Sequence, residues 1–163
     1  MIYLGIARVI SGGQTGADQA GLAAAAAVGI KTGGWAPRGY MTEAGSDPRL
    51  ATVYGLTEHF KGYGERTDAN ARLADGTIRF AAVWQSPGEK RTLKAIQRFR
   101  KPYIDVDVNA PRPAEEVVQW IRDYKIKILN VAGNSQSRAP GIYQFVYEYL
   151  QRVLLAVVNG EVR

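Results

Sequence analysis

Short apolar runs alternate with longer segments of helical period, and this alternation restricts the fold more than any other feature. The apolar runs that predict strands are residues 6–10, 30–34, 77–84, 103–106 and 127–131. Helices are predicted at about residues 17–28, 65–73, 89–100, 114–124 and 141–158. Strands joined by helices pair in parallel, since each helix returns the chain to the same end of the sheet. We expect a three-layer α/β sandwich of about five mostly parallel strands, with helices on both faces.

Size and composition exclude several classes of protein. The 163 residues suit one domain, expected over residues 1–163. The absence of cysteine excludes disulfides and thiolate chemistry, and a single histidine, His59, argues against a protein-bound metal. Residues 142–158 are interrupted by polar side chains and fall short of the ~20 apolar residues that cross a bilayer. Without a secretion signal or a membrane partner, a cytoplasmic location is the expectation.

The formal net charge of +6 favours anionic partners. Nucleotide phosphates, oxyanions and nucleic acid all remain open, because charge alone does not choose among them. The densest basic patch lies between residues 89 and 101 at helical spacing. Such a patch is more typical of a solvated helix face than of a nucleic-acid groove.

A glycine-rich turn connects the first predicted strand to the first helix. This glycine turn, residues 11–16, consists of Ser11, Gly12, Gly13, Gln14, Thr15 and Gly16. Backbone N–H groups at a helix N-terminus are unsatisfied and bind anions, and glycine lets the backbone approach a ligand closely. Asp18, in the first helical turn, is expected to cap amides or to contact a ligand hydroxyl. We predict that the turn binds the phosphate of a nucleotide-like ligand; the alternative is a strand–helix turn whose glycines permit tight packing.

The glycine turn differs from two familiar phosphate-binding loops. No Lys-Ser/Thr pair follows Gly16, so it is not a Walker A loop. The dinucleotide pattern G-x-G-x-x-G is met only with Ser11 in its first place, and Ala36, Pro37 and Arg38 stand where the ribose-binding acid is expected. Ordinary NAD binding is therefore disfavoured.

Polar residues follow three predicted strands at their carboxyl ends, where ligands of parallel sheets bind. The candidate contacts among them are Gly34, Trp35, Arg38, Ser86, Gly88, Thr92, Asn130 and Gly133. Trp35 is expected to stack on a base or pterin ring, with a core position as the alternative, and Arg38 to pair with phosphate. Arg66 and Asn70 lie four residues apart, on one helical face directed at the same crevice.

Two segments point to functions outside the glycine turn. Residues 35–64 are rich in Gly, Pro and Thr, and so long a connection predicts a functional loop or lid, in which Glu43 is the acid to test. The final helix is apolar on more than one face. Such a helix is buried, and we expect it to form a homo-oligomer interface.

Four motifs resemble those of the molybdenum carrier protein family, in order and over nearly the whole chain. They are SGGQTGADQAGL at 11–22, GGWAPRGYMTEAG at 33–45, RTDANARLADGT at 66–77 and LNVAGNSQSRAPGIY at 129–143. The resemblance implies a Rossmann-like fold, an oligomer, and a pocket for a nucleotide or for the phosphate of molybdenum cofactor. It places the glycine turn on that phosphate, with Gly34, Asn130 and Gly133 nearby.

The resemblance extends to a superfamily that includes Lonely-Guy-type phosphoribohydrolases and DNA-processing protein A. The hydrolases carry P-G-G-x-G-T-x-x-E, whereas this chain has Glu89, Arg91 and Ala95 in place of two glycines and the catalytic acid. Without that acid, binding without catalysis is favoured. A nucleotide hydrolase and a DNA-binding protein remain the alternatives.

Overall fold

The computed structural model describes residues 3–160. Its strands are β1 (Arg8–Ile10), β2 (Lys31–Gly33), β3 (Trp35–Ala36), β4 (Met41–Thr42), β5 (Gly45–Ser46), β6 (Thr57–Glu58), β7 (Gly76–Ala81), β8 (Tyr103–Asp107) and β9 (Ile128–Gly133). Its helices are α1 (Ala17–Ala27), α2 (Arg49–Thr52), α3 (Tyr63–Leu73), α4 (Pro87–Arg98), α5 (Ala114–Asp123) and α6 (Ile142–Asn159).

Five strands form one parallel sheet in the order β2-β1-β9-β7-β8. Helices α1, α5 and α6 pack on one face, and α3 and α4 cover the other. The predicted three-layer, Rossmann-like α/β sandwich is confirmed. After β1 the chain continues to β2 at one edge of the sheet, and after β7 it continues to β8 at the other edge. The carboxyl ends of β1, β9 and β7 therefore frame the kind of crevice in which parallel sheets bind ligands.

Asn134, directly after β9, joins the elements around this crevice. Its backbone N–H donates to Phe80 O at 3.0 Å, and its backbone oxygen accepts from Ala17 N at 3.1 Å, at the start of α1. Its side-chain oxygen accepts from the N–H groups of Ala82 and Val83, each at 2.9 Å. These two amides bond to Asn134 and not to a neighbouring strand. Strand β7 consequently ends at Ala81, three residues before the predicted end.

The long connection predicted as a loop or lid contains ordered structure. Strand β3 pairs in parallel with β6, and β4 pairs with β5 in a short hairpin. Leu50 and Leu56 are buried and pack with Ala36 against Leu22 of α1. These strands were not predicted because two-residue strands are too short to show a period.

Helix α6 directs most of its apolar side chains into the core formed with α1 and α5. Val146, Leu150, Val153 and Leu154 are fully buried, whereas Leu155 and Val158 are exposed. The core therefore accounts for most of the apolar surface that prompted the interface prediction, and the oligomer remains a prediction. Among residues 3–160, no helix combines the length and apolarity needed to cross a membrane.

The beginning and the end of the described chain lie close together. Residues 3–5 and 157–160 line one shallow depression on the surface. The Tyr3 hydroxyl donates a hydrogen bond to Ile126 O at 2.5 Å and holds the first of these segments against the loop before β9.

We predict that Gly133→Ala destabilises the protein far more than Gly29→Ala. Both glycines have positive φ, but a Cβ at Gly133 would overlap the Phe80 carbonyl oxygen, whereas a Cβ at Gly29 would have nothing within 4 Å. The expected losses in the free energy of unfolding are about 3 kcal/mol or more at Gly133 and about 1 kcal/mol at Gly29. Urea denaturation measures both, and equal losses would contradict the close approach of β9 to β7.

Candidate ligand-binding site

A crevice of about 490 Å³ lies beyond the carboxyl ends of β1, β7 and β9. Seven of the predicted site residues line it: Gln14, Asp18, Arg66, Ser86, Gly88, Thr92 and Gly133. The other principal lining residues are Tyr63, Glu89, Arg91, Ser135 and Arg138. The walls come from the glycine turn, the first turns of α3 and α4, and the loop after β9.

The amides of the glycine turn bond to the protein itself, contrary to the expectation that they face a ligand. Gly13 N–H donates to Ser11 Oγ at 3.3 Å, and Gln14 N–H donates to an Asp18 carboxylate oxygen at 3.2 Å. Thr15 N–H donates to the Gln14 side-chain oxygen at 3.0 Å. An anion reaches these three donors only by replacing the protein's own acceptors.

At each of these glycines, the position that a Cβ would occupy is close to other protein atoms. A Cβ on Gly12 would overlap the Arg66 guanidinium, and one on Gly13 would lie 2.7 Å from Leu50 Cδ1. At Gly16 a Cβ would lie 2.5 Å from the Asn134 oxygen. The structure thus gives Gly12 and Gly13 close protein neighbours, and their approach to a ligand stays a prediction. These glycines permit close packing of an arginine and of the small core around Leu50.

Asp18 is a buried carboxyl group at the centre of the site. Burial raises its pKa to about 6, although Arg66 and the Gln14 N–H favour the charged form. The Arg66 guanidinium is 3.7 Å from the carboxylate. A group with this pKa changes its charge close to neutral pH.

Glu89, in the first turn of α4, is a second buried acid in the crevice. Its carboxylate accepts from Ser86 Oγ at 2.7 Å and from the Asn134 side-chain N–H at 2.8 Å. Burial raises the pKa of Glu89 despite these hydrogen bonds. Sequence reasoning treated Glu89 only as a lost glycine. The pattern Ser-Pro-Gly-Glu, an S-x-x-E capping signature, places it in the first helical turn but does not show that it faces a cavity.

Three guanidinium groups face the crevice. Arg66 is mostly buried, and its Nε has no hydrogen-bond partner among the described residues. Arg91 pairs with Asp68 at 2.6 Å. Arg138 is exposed and forms no ion pair within residues 3–160. Guanidinium groups bind phosphate oxygens through paired N–H donors.

Trp35 and Arg38 do not line the crevice, contrary to their predicted placement. Trp35 lines a wider, open groove of about 800 Å³ beside edge strand β2, and its ring meets His59 edge-on at a centroid distance of 5.4 Å. Arg38 is exposed in the 3-10 turn Arg38–Tyr40. The short β3 strand explains both positions, because it carries the chain along the side of the sheet.

Three other predicted residues, Asn70, Gly34 and Asn130, do not line the crevice and contact the backbone or side chains of neighbouring elements. The Asn70 side chain bonds the backbone N–H and carbonyl of Trp35, at 2.8 and 3.0 Å. Gly34 packs on the Ser11 backbone, where a Cβ would lie 2.5 Å from Ser11 O. Asn130 donates to Thr77 Oγ1 at 3.2 Å inside the sheet, so its amide is directed away from the crevice.

Glu43, at the turn of the β4–β5 hairpin, bonds the rim of the site. Its carboxylate accepts hydrogen bonds from the hydroxyls of Thr15 and Ser137, and from Ser137 N–H at 3.1 Å. Its own N–H donates to the Gln14 side-chain oxygen at 2.8 Å. The acid singled out in the sequence thus joins the hairpin to the glycine turn.

Within the described part of the chain, no group of three or more His, Cys, Asp or Glu side chains is arranged to hold a metal ion. The crevice instead combines guanidinium groups, hydroxyls and two carboxyls of raised pKa.

The parallel sheet and the crevice at its carboxyl ends define a Rossmann-like α/β protein. The chain belongs to the circularly permutated YpsA SLOG family, whose model matches residues 9–154. It is similar to the crystal structure of "Putative molybdenum carrier protein" from Syntrophus aciditrophicus SB, with 32% sequence identity and a TM-score of 0.82. The match covers 93% of this chain and 96% of that one. The resemblance carried by the four sequence motifs is confirmed. No curated protein matches the chain.

We predict that Asp18→Asn changes how stability depends on pH. The pKa of Asp18 is about 6 in the folded protein, above its ordinary 3.8. A raised carboxyl pKa contributes stability that is complete below the unfolded pKa and is lost as pH rises through the folded pKa. Between pH 4.5 and 7.5, the free energy of unfolding of the natural protein should fall by about 2 kcal/mol relative to the Asn variant. Parallel urea titrations that give the same pH profile would contradict this.

Proposed function

We propose that this protein binds a phosphate-bearing, nucleotide-like ligand in the crevice and does not transform it. The observation that carries the proposal is the convergence of Arg66, Arg91 and Arg138 on one crevice. Its two lining acids, Asp18 and Glu89, both have raised pKa values and so carry their negative charge less readily. Protonation of either acid leaves the three guanidinium groups in excess over the carboxylates around them, and the site then presents net positive charge to an anion.

In this proposal the ligand phosphate lies between the glycine turn and α4. Arg66 and Arg138 pair with its oxygens, and Gly88, at the open N-terminus of α4, has no neighbour that a Cβ would meet within 4 Å. Asp18 becomes protonated as the anion approaches, which releases the Gln14 N–H for the phosphate. The glycine turn then binds phosphate as the sequence predicts, after exchange of its internal acceptor.

Molybdenum cofactor, a phosphate-bearing pterin, is one ligand of this class, in keeping with the name of the similar crystal structure. If molybdenum cofactor is the ligand, its phosphate would bind Arg66 and Arg138. The described residues supply no cluster of metal ligands for its other end. The proposal therefore concerns recognition of the phosphate, and a nucleotide monophosphate meets the same requirement.

We predict that Arg138→Gln weakens the binding of adenosine monophosphate at least tenfold, about 1.4 kcal/mol. The exposed guanidinium lines the crevice, where it interacts with Glu89 through charge alone and forms no ion pair within residues 3–160. Arg98→Gln, an exposed change of the same charge at the far end of α4, is the matched control and should change affinity less than twofold. Calorimetry that shows equal losses in the two variants, or no binding by the natural protein, would contradict the proposal.

We predict that sulfate binds more weakly as pH rises from 5.5 to 7.5. A bound anion raises the pKa of Asp18 further above its value of about 6, so binding takes up a proton and is favoured at low pH. Sulfate does not titrate in this range, so the protein alone causes the change. Asp18→Asn should bind sulfate with little pH dependence and more tightly at pH 7.5. A natural protein with constant affinity would exclude this role for Asp18.

One observation favours a second function, a nucleotide hydrolase. Glu89 is a buried carboxyl of raised pKa in the crevice, held by Ser86 and Asn134, and it suits a general acid that protonates a leaving base. Water would then add to the sugar carbon as the bond to the base breaks. Chromatography after incubation with nucleoside monophosphates decides the question. Release of base by the natural protein but not by Glu89→Gln would establish hydrolysis in place of simple binding.

A further inference from the structure

A second group of donors lies at the rim of the crevice and surrounds a carboxylate. The group, here called the hydroxyl cluster, consists of Thr15, Ser135 and Ser137. The Thr15 and Ser137 hydroxyls and Ser137 N–H donate to Glu43, and the Ser135 hydroxyl lies 3.4 Å from the Ser137 hydroxyl. These bonds, led by the one from Ser137, lower the pKa of Glu43 and keep it charged.

The hydroxyl cluster adjoins the proposed phosphate position. Ser135 lines the crevice and its hydroxyl lies 3.4 Å from that of Ser137. Gln14 also lines the crevice, and its side-chain oxygen accepts the Glu43 N–H. Thr15 lies just before the first turn of α1, where the helix dipole favours negative charge. An anion in the cluster would thus be the immediate neighbour of one held by the arginines.

The carboxylate comes from the exposed turn of a short hairpin. Glu43 is exposed, at the turn of a hairpin whose strands β4 and β5 have two residues each. Thr42 of the hairpin is buried, but its hydroxyl bonds only Gly45 O and Ala44 N–H of the same hairpin. The buried apolar residues nearby, Leu50 and Leu56, belong to the segment that follows. Movement of the turn would break the Glu43 contacts without opening that core.

We infer that Glu43 is a built-in competitor for a second anionic group of the ligand, so that the site takes a ligand with two linked phosphates, as in a nucleoside diphosphate. This inference rests on the proposed function. Three hydroxyls and a backbone N–H form a donor set suited to phosphate oxygens as well as to a carboxylate. The second phosphate would replace the Glu43 carboxylate and move the β4–β5 turn outward.

Inorganic phosphate and pyrophosphate are the probes, and calorimetry measures their affinities for the natural protein and for Glu43→Gln. Removal of the competing charge should tighten pyrophosphate binding at least fivefold and change phosphate binding less than twofold. Asp47→Asn removes the same charge from an acid that pairs with the exposed Arg49, and it should leave both affinities unchanged. Unchanged or weaker pyrophosphate binding by Glu43→Gln would overturn the inference. Glu43 would then only hold the hairpin against the glycine turn.

Ser137→Ala, made in the Glu43→Gln background, provides an independent test, because it removes a donor of the cluster after the competing charge has gone. It should reduce the preference for pyrophosphate over phosphate, and a full preference in this variant would also overturn the inference.

Hydrogen exchange should show faster exchange at residues 41–46 when pyrophosphate binds. If the natural protein binds phosphate and pyrophosphate equally well, the inference of a second phosphate position is wrong and the proposed function stands. If it binds neither anion, the proposed function fails as well.

Discussion

The site depends on the side chain and backbone of Asn134. This one residue bonds the end of β7, the start of α1 and Glu89 of α4, so it fixes the distances between three walls of the crevice. An aspartate in its place would accept the bonds from Ala82 and Val83. It could not donate to Val83 O or to Glu89, and would bring two carboxylates together. The amide is therefore a structural requirement of the crevice.

Inside the crevice the charge of Arg66 is balanced by that of Asp18, and this balance changes when Asp18 takes up a proton. A buried guanidinium without an acid would be costly, and Asp18 offsets that cost next to Arg66. Because burial holds the Asp18 pKa near 6, however, protonation removes this offset only slightly below neutral pH, and it does so reversibly. An arriving anion can take over the role of the carboxylate. The same logic applies at the rim, where the charged Glu43 satisfies donors that lie next to the main site.

Fold and site differ in how far the sequence predicts them. The strands and helices of the main sheet follow from hydrophobic period, and the glycine turn follows from its place between β1 and α1. The contacts of the turn do not follow, since a glycine pattern shows that something approaches closely but not what approaches. At Gly12 it is Arg66 and at Gly13 it is Leu50, both distant in sequence. Glu89 was missed for a related reason, because its burial depends on Asn134, 45 residues away.

The depression shared by residues 3–5 and 157–160 bears on how such a sheet can be encoded. A short linker across it would join α6 to the segment before β1, and the chain could then be opened at another surface loop with every strand still in its place. The order of the strands along the gene is therefore separable from their order in space. That independence agrees with the description of this family as circularly permutated.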